Sequence, residues 1–340
     1  MPEDEPKLQS VTAKKAETSR QSLGLATFHL SGDLRLRANK VLADLVDLEQ
    51  KGIGFSPFLE IGAGRGPRSA ALINRYSAQG VATDISPALQ DAPYVAAALH
   101  YNDLPLLICC DAHHIPFLAN SFQFVFAYRT LHHFANPIPV LAECYRLLAK
   151  DGYLFFNEEP LDSAFRRFLR GKRVLTSQPS KMQELGYRFG VEKVFWDDGE
   201  YERGLGMVEA RYDIDLWRKA LQPFSILDVE VNRKLKIRSD LYKPALNSFL
   251  SGIIGGNIKG LCKKEEGESV NGDFRERLIC LDCSSTQLIK VKDESILCEN
   301  CKREYPMVRG VVRMLPLQLE AELYAENLSL TRTRENQFAR

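Results

Sequence analysis

The fold is decided at residues 57–67, which read PFLEIGAGRGP and join a short apolar run to a glycine-rich turn. Four further apolar runs follow at residues 80–85, 106–110, 122–128 and 153–157, each bounded by turn residues. Segments long enough for a helix separate most of these runs. Because apolar strands that alternate with helices are typical of a parallel sheet covered on both faces, the sequence predicts an α/β, doubly wound sheet.

The rest of the chain divides into segments of different composition. A helix is predicted over residues 34–48, and a second helix at 215–221 leads into an alternating strand near 226–231, expected as the antiparallel closing edge of the sheet. The predicted organisation is a disordered leader at 1–22, a large domain at 23–260 with an insertion at 160–212, a linker at 261–274, a cysteine-bearing module at 275–316 and a polar tail at 317–340.

The overall composition is that of an ordinary globular protein of about two domains, since 45% of its 340 residues are hydrophobic and 26% are charged. A formal net charge of +1 creates no field that would select a nucleic-acid or membrane partner. The start, MPEDEPK, lacks the features of a secretory signal, and no apolar run approaches the roughly 20 residues of a membrane span. These features predict a cytoplasmic protein with no transmembrane segment, and they leave its oligomeric state open.

The glycine-rich turn predicts a nucleotide-like ligand. Glycines let the backbone approach a ligand closely, and the following helix offers free N–H groups. Dinucleotide sites use G-x-G-x-x-G, but Pro67 stands where the third glycine would be. Asp84, about 20 residues downstream, is placed to accept hydrogen bonds from ribose hydroxyls. Together with Glu60 and Asp111 it favours a cationic ligand, although Arg65 and Arg68 also suit phosphates.

Residues 60–66 resemble the first motif of the class I S-adenosylmethionine-dependent methyltransferases, and the resemblance extends to Asp84, to Asp111-Ala112 and to residues 131–134, which read LHHF. The resemblance is greatest to the type 11 subgroup that includes quinone-biosynthesis methyltransferases. This sequence differs from that family at Gln123, where the family usually has an acid. The resemblance implies a Rossmann-like, seven-stranded sheet, methyl transfer from S-adenosylmethionine, and an adenine contact for Asp111. The implied cofactor-binding residues are Glu60, Gly62, Ala63, Gly64, Gly66, Asp84, Ile85, Asp111, Ala112 and Tyr128.

The methyl acceptor is expected to bind near the residues that follow the fourth and fifth strands, because ligands of doubly wound sheets lie over the carboxyl ends of the central strands. Methyl transfer needs an in-line nucleophile, and a general base only when the acceptor loses a proton. The two histidines can instead cap the turn that follows the strand. The candidate catalytic residues are Tyr128, Arg129, His132, His133 and Glu158.

The acceptor itself stays open at this stage. A small molecule, sugar or lipid is the first hypothesis, since the core resembles that subgroup and the net charge gives no RNA-binding field. An RNA or translation factor is the second, suggested by the cysteine module and by the basic-aromatic stretch at 165–173, which can equally be a solvated helix face. A catalytically inactive scaffold is the third.

The cysteine module predicts a structural zinc site. Two C-x-x-C turns aim four thiolates at one point, where they can bind a metal ion. A segment of about 40 residues needs such a metal ion for stability because it cannot build an adequate hydrophobic core. Redox chemistry would require a C-x-x-C at the start of a helix in a strand-helix-strand unit. Residues 280–311 resemble the zinc ribbons that activate RNA and release-factor methyltransferases, but Leu281 and Arg309 depart from them. The expected ligands are Cys280, Cys283, Cys298 and Cys301.

Overall fold

The computed structural model describes residues 27–162, 210–232, 256–270, 272–292, 294–317 and 319–320. The helices are α1 (Thr27–Gln50), α2 (Pro67–Tyr76), α3 (Ala92–Ala98), α4 (Pro137–Leu147) and α5 (Ile214–Ala220). The strands of the large domain are β1 (Phe58–Ile61), β2 (Gly80–Asp84), β3 (Leu106–Cys109), β4 (Phe122–Tyr128), β5 (Leu148–Leu161), β6 (Ser225–Asn232) and β7 (Gly256–Lys263). The cysteine module contributes β8 (Leu288–Val291), β9 (Ser295–Cys298), β10 (Glu304–Val308) and β11 (Val311–Arg313).

These strands form one mixed sheet in the order β6-β7-β5-β4-β1-β2-β3-β11-β10-β9-β8. Its centre, from β5 through β3, is parallel, whereas β6 and β7 run antiparallel at one side. The predicted α/β sheet and its antiparallel edge near 226–231 are therefore confirmed. The expected count of seven strands is wrong, because the described part of the sheet has eleven strands.

The four additional strands come from the cysteine module, which continues the sheet. β11 pairs in parallel with β3 from Val311 opposite Leu107 to Arg313 opposite Cys109. The backbone N–H of Met314 then donates to the carbonyl of Cys109 at 2.8 Å. An edge strand carries unpaired backbone groups, and β11 pairs those of β3. The module and the large domain thus share one hydrogen-bonded sheet.

The sequence predicts no strand at residues 256–263 and places 261–263 in a linker, whereas the structure has β7 there. It lies between β5 and β6, and its buried residues include Ile258 and Cys262. A Cβ at Gly260 would collide with the ring of Phe156 on the neighbouring strand. The glycine weakens the strand pattern in the sequence, yet the close approach of Phe156 requires it.

The core lies on both faces of the sheet. On one face α1 buries Ala38, Val41, Leu45 and Leu48, whose spacing forms one helical stripe, against α2 and the rings of β4. On the other face α4 and α5 pack over the sheet, where the indole of Trp217 stacks on Phe156 with ring centroids 5.0 Å apart. The helices of the described residues include none that is long and apolar enough to cross a membrane.

Several sequence predictions lie outside the described residues. They are the leader at 1–22, most of the insertion at 160–212 with its basic-aromatic stretch at 165–173, and most of the tail at 317–340.

Candidate functional site

The carboxyl ends of the parallel strands meet at one edge of the sheet. The glycine-rich turn follows β1, Asp84 ends β2, and Asp111 comes just after β3. Residues 129–133 follow β4, and Glu158 lies in β5 just beyond its last pairing with β4. The structure therefore brings the predicted cofactor and acceptor residues to a common edge, which is where ligands of such sheets bind.

The glycine-rich turn has a backbone that side chains tolerate poorly. Gly62, Gly64 and Gly66 have φ of 67°, 60° and 71°. A Cβ on Gly62 would collide with the side chain of Thr130, so the turn packs tightly against the residues that follow β4. A Cβ on Gly64 would have no atom of the described residues within 4 Å. The open space beside Gly64 is the feature that a ligand approaching the backbone requires.

Asp84 fixes the shape of this turn. Its Oδ2 accepts from the backbone N–H of Gly64 at 2.6 Å, and its Oδ1 accepts from that of Ser86 at 2.7 Å. Burial raises the pKa of Asp84, although the two backbone donors oppose that effect. A carboxylate has about four acceptor positions, so Asp84 can still accept from ligand hydroxyls.

Glu60 is completely buried beneath the turn. It accepts from the backbone N–H of Ser69 at 3.1 Å and from the Ser69 hydroxyl, which ties β1 to the first turn of α2. Its Oε1 has no hydrogen-bond partner in the described part of the chain, and the nearest cation is the Arg68 guanidinium at 3.8 Å. Burial raises the pKa of Glu60, while Arg68 lowers it. Ala63 is buried in the same turn and donates its N–H to the carbonyl of Thr83.

Asp111 is engaged by a neighbour that the sequence did not single out. Its Oδ1 lies 2.8 Å from Nδ1 of His113 and accepts from the His113 backbone N–H at 3.0 Å. Ala112 packs against the core, and Ile85 accepts at its carbonyl from the Cys109 thiol. Asp111 is nonetheless at the same sheet edge as Asp84, one strand further out.

A further side chain of the site is Glu159, which is not among the candidate residues named from the sequence. The β5 ladder to β7 shifts register between Phe156 and Glu159, and such a bulge re-aims side chains. The buried carboxylate then accepts from the backbone N–H groups of Thr130, Leu131 and His132 at 2.7, 3.1 and 3.0 Å. It also lies 2.7 Å from Nδ1 of His132.

These contacts decide the charge of Glu159. Burial alone would raise its pKa, but the electrostatic attraction of the His132 ring, the hydrogen bond to that ring and the backbone donors together outweigh burial, so the pKa of Glu159 is lowered. The neighbouring His133 places its ring 4.2 Å from that of His132. Glu159 therefore holds the turn after β4, and both histidines with it, as an ionised buried anchor.

Tyr128 faces the N-terminal helix instead. Its hydroxyl donates to Asp44 of α1 at 2.8 Å, and Asn157 and Lys259 contact the same carboxylate at 2.8 and 2.9 Å. Burial raises the pKa of Tyr128 well above its ordinary value, and the charge of Asp44 adds to the effect. The phenol is therefore neutral and committed to Asp44. Asp44 was missed because only long-range packing brings it to the strand ends.

Arg129 and Glu158 share an unusual backbone. Both are non-glycine residues in the left-handed region, with φ of 51° and 63°. Arg129 is exposed at the end of β4, and Glu158 forms an ion pair with Lys40 of α1. Such conformations cost about 1–3 kcal/mol each and cluster at functional sites. Their position on adjacent strands marks the rim of the site.

The four cysteines of the module form a second candidate site. Their Sγ atoms all lie within 4.8 Å of one another, with Cys280 and Cys301 at 3.5 Å and Cys283 and Cys298 at 3.5 Å. A tetrahedral zinc with bonds of about 2.3 Å would set sulfur atoms about 3.8 Å apart. The distances and the all-sulfur donor set therefore fit a structural zinc ion.

The two cysteine turns have the same local geometry. The carbonyl of Cys280 accepts from Ser284 N–H, and that of Cys298 accepts from Lys302 N–H, each at 2.9 Å. Ser284 and Lys302 have φ of 56° and 63°. Behind them, the buried Tyr305 hydroxyl lies 3.1 Å from the Cys280 sulfur and accepts from the N–H of Leu281, a supporting contact that spacing alone could not reveal.

Comparison with known proteins gives one family match. Residues 59–156 match the family model described as a methyltransferase domain. No curated protein matches the chain. Solved structures that resemble it include a candidate methyltransferase of Bacillus halodurans C-125, with 19% identity, 66% of this chain and 100% of that chain covered, and a TM-score of 0.43.

Two further structures resemble the chain. The [4+2]-cyclase SpnF has 15% identity, 72% and 84% coverage and a TM-score of 0.43. Geranyl diphosphate C-methyltransferase from Streptomyces coelicolor A3(2), in complex with S-adenosyl-L-homocysteine, has 12% identity, 65% and 77% coverage and a TM-score of 0.43. The matched segment spans β1 to β5 and includes the glycine-rich turn, Asp84 and Asp111. This match identifies the chain as a methyltransferase-type enzyme that uses S-adenosylmethionine.

Proposed function

We propose that the chain transfers the methyl group of S-adenosylmethionine to a small molecule, sugar or lipid acceptor. The observation that carries the cofactor assignment is the open space at Gly64 beside a carboxylate, Asp84, that is already oriented by the turn. The spacing interrupted by Pro67 argues against NAD. When bound, S-adenosylmethionine supplies an electrophilic methyl group on a sulfonium.

In this proposal the turn and two acids hold the cofactor. Asp84 accepts from the ribose hydroxyls and Asp111 from the adenine amino group, while the glycines allow the backbone to approach. Glu60 supports the turn from below through Ser69. The proposed cofactor-binding residues are Glu60, Gly62, Ala63, Gly64, Gly66, Asp84, Ile85, Asp111 and Ala112.

The acceptor would lie over the ends of β4 and β5. Arg129 and Glu158 stand at the rim to orient it, and His132 and His133 border it. His132, whose Nδ1 lies 2.7 Å from Glu159, would serve as the base for an acceptor that must lose a proton. Tyr128 has no direct step, since its phenol is committed to Asp44.

The acceptor class rests on the resemblance to the type 11 subgroup and on the near-zero net charge. An RNA or translation-factor acceptor is the second candidate, favoured by the four-cysteine cluster. In the module, Cys280, Cys283, Cys298 and Cys301 would hold one zinc ion with no open position, so the metal would stabilise β8 to β11 and, through β11, the edge of the catalytic sheet.

Calorimetry with S-adenosylmethionine, S-adenosylhomocysteine and NAD tests the cofactor. We expect binding of the first two, and loss of that binding in Asp84→Asn, with Asp215→Asn, an exposed acid on α5, as the matched control. Tight NAD binding without a response to S-adenosylhomocysteine would contradict the proposal.

Labelled S-adenosylmethionine incubated with fractionated cell extract tests the acceptor. Label in the small-molecule or organic-soluble fraction supports the first hypothesis. Label in RNA that is lost when Arg166, Arg167 and Arg170 become Ala would favour the second, because removing phosphate contacts weakens RNA binding broadly. No label in any fraction would favour an inactive scaffold.

A further inference from the structure

The order of the strands determines how the proposed cofactor would be oriented along the edge of the sheet. Asp84 and Asp111 lie at the ends of β2 and β3, on one side of the turn that follows β1. On the other side of β1 lies β4, which ends at Tyr128. A ligand with its ribose at Asp84 that extends across the glycine-rich turn therefore carries its opposite end toward the end of β4.

Arg68 lies at that position. It belongs to the first turn of α2, and its guanidinium sits over the ring of Tyr128 at 4.9 Å from the centroid. Its side chain is only 4% exposed. Within the described residues its guanidinium makes no hydrogen bond, and its nearest carboxylate oxygen, Oε1 of Glu60, is 3.8 Å away.

This environment is unusual for an arginine. Burial lowers the pKa of Arg68, and the nearby Arg37 lowers it further, whereas Glu60 and Glu158 raise it. Glu60 directs its other oxygen to Ser69, and no donor among the described residues reaches Oε1. A buried guanidinium without acceptors is costly, and its planar fork is shaped for two oxygens of one carboxylate.

The cofactor carries such a group at the end opposite its adenosine. We propose that Arg68 binds the α-carboxylate of the cofactor's amino-acid end, with Glu60 behind it as the fixed counter-charge. This inference rests on the proposed S-adenosylmethionine site and deepens it, since it assigns the methionine end to the region between α2 and the end of β4.

A pair of ligands separates this role from a structural one. S-adenosylhomocysteine has the carboxylate, whereas 5′-methylthioadenosine has the same adenosine and sulfur but no amino-acid end. For Arg68→Met we expect S-adenosylhomocysteine affinity to fall about 10- to 100-fold, the effect of losing hydrogen bonds between charged groups. Affinity for 5′-methylthioadenosine should stay within about 2-fold of the wild type, which also reports that the fold is intact. Arg75→Met, the exposed arginine in the last turn of the same helix, is the matched control.

Arg68→Lys keeps the charge and loses the planar guanidinium, so it should lower the affinity for S-adenosylhomocysteine by a factor between those of the wild type and Arg68→Met. An equal loss of both ligands in the Arg68 variants would make Arg68 a packing residue and overturn the inference. Unchanged S-adenosylhomocysteine affinity would overturn it as well. If the wild type binds neither ligand, the proposed function fails first, and the inference fails with it.

Discussion

Glu159→Gln tests the buried anchor that holds the turn after β4. In the wild type, Oε1 accepts from Thr130 and Leu131, and Oε2 accepts from the N–H and the ring of His132. A glutamine keeps the size but replaces one oxygen with an NH₂ group, which cannot accept. If the NH₂ group faces Thr130 and Leu131, two backbone donors lose their acceptor. If it faces His132, the backbone N–H of His132 loses its acceptor, while Nδ1 of the ring can accept from the amide in its other tautomer.

The cost follows from that count. Each hydrogen bond to a charged group contributes about 1.5–3 kcal/mol, so losing one or two predicts a decrease of about 1.5–6 kcal/mol in the free energy of unfolding. In a chain of this size that corresponds to a melting temperature lower by on the order of 10 °C. The matched control is Glu158→Gln, whose partly exposed ion pair with Lys40 should contribute less than about 1 kcal/mol.

The pH dependence provides a second readout. Because the pKa of Glu159 is lowered in the folded state, its stabilisation is complete above the unfolded value of about 4.3 and is lost as the pH falls through the folded pKa. Urea denaturation of both variants and the wild type at pH 7 and near pH 4 should therefore show a smaller Glu159→Gln deficit at the lower pH. Equal stabilities of the two variants at pH 7, within about 1 kcal/mol, would refute the reasoning.

Three further predictions concern the glycine-rich turn and the cysteines. Gly62→Ala should destabilise the fold by about 2–4 kcal/mol in urea denaturation because it collides with Thr130, whereas Gly64→Ala should cost only about 1 kcal/mol. Gly64→Ala should nevertheless weaken the binding of S-adenosylhomocysteine in calorimetry, and unchanged affinity would contradict a ligand beside Gly64. Metal analysis should find about one zinc per chain, with Cys280→Ser lowering both metal content and melting temperature, and a metal-free wild type would contradict it. Burial raises the pKa of Cys262 to about 12, so the native thiol should resist Ellman's reagent at pH 8 until the chain unfolds, and rapid native labelling would show that β7 opens.

The strands at the centre of the sheet could be read from the sequence. The runs at 80–85, 106–110 and 122–128 became β2 (Gly80–Asp84), β3 (Leu106–Cys109) and β4 (Phe122–Tyr128) almost residue for residue. They are buried on both faces, so their apolar character is continuous and local. The C-x-x-C spacing was equally informative, because two local turns are enough to bring each pair of thiols together.

Edge elements were harder to predict. β7 contains two glycines and two lysines, and it becomes a strand only because β5 and β6 pair with it on both sides. The length of the sheet was also unpredictable, since the parallel pairing of β11 with β3 joins residues about 200 positions apart. Local sequence does not indicate which edge strand a distant segment will pair with through backbone hydrogen bonds.

The sequence by itself therefore determined the chemistry available at the site: glycines able to turn sharply, acids after successive strands and four thiols at zinc spacing. Tertiary structure alone decided how that chemistry is used. A bulge turned Glu159 inward onto the histidine turn while Glu158 stayed at the rim, and α1 carried Asp44 to the hydroxyl of Tyr128. The physical reason is that the role of a polar side chain depends on the partners and the burial that folding gives it, and those partners come from distant parts of the chain.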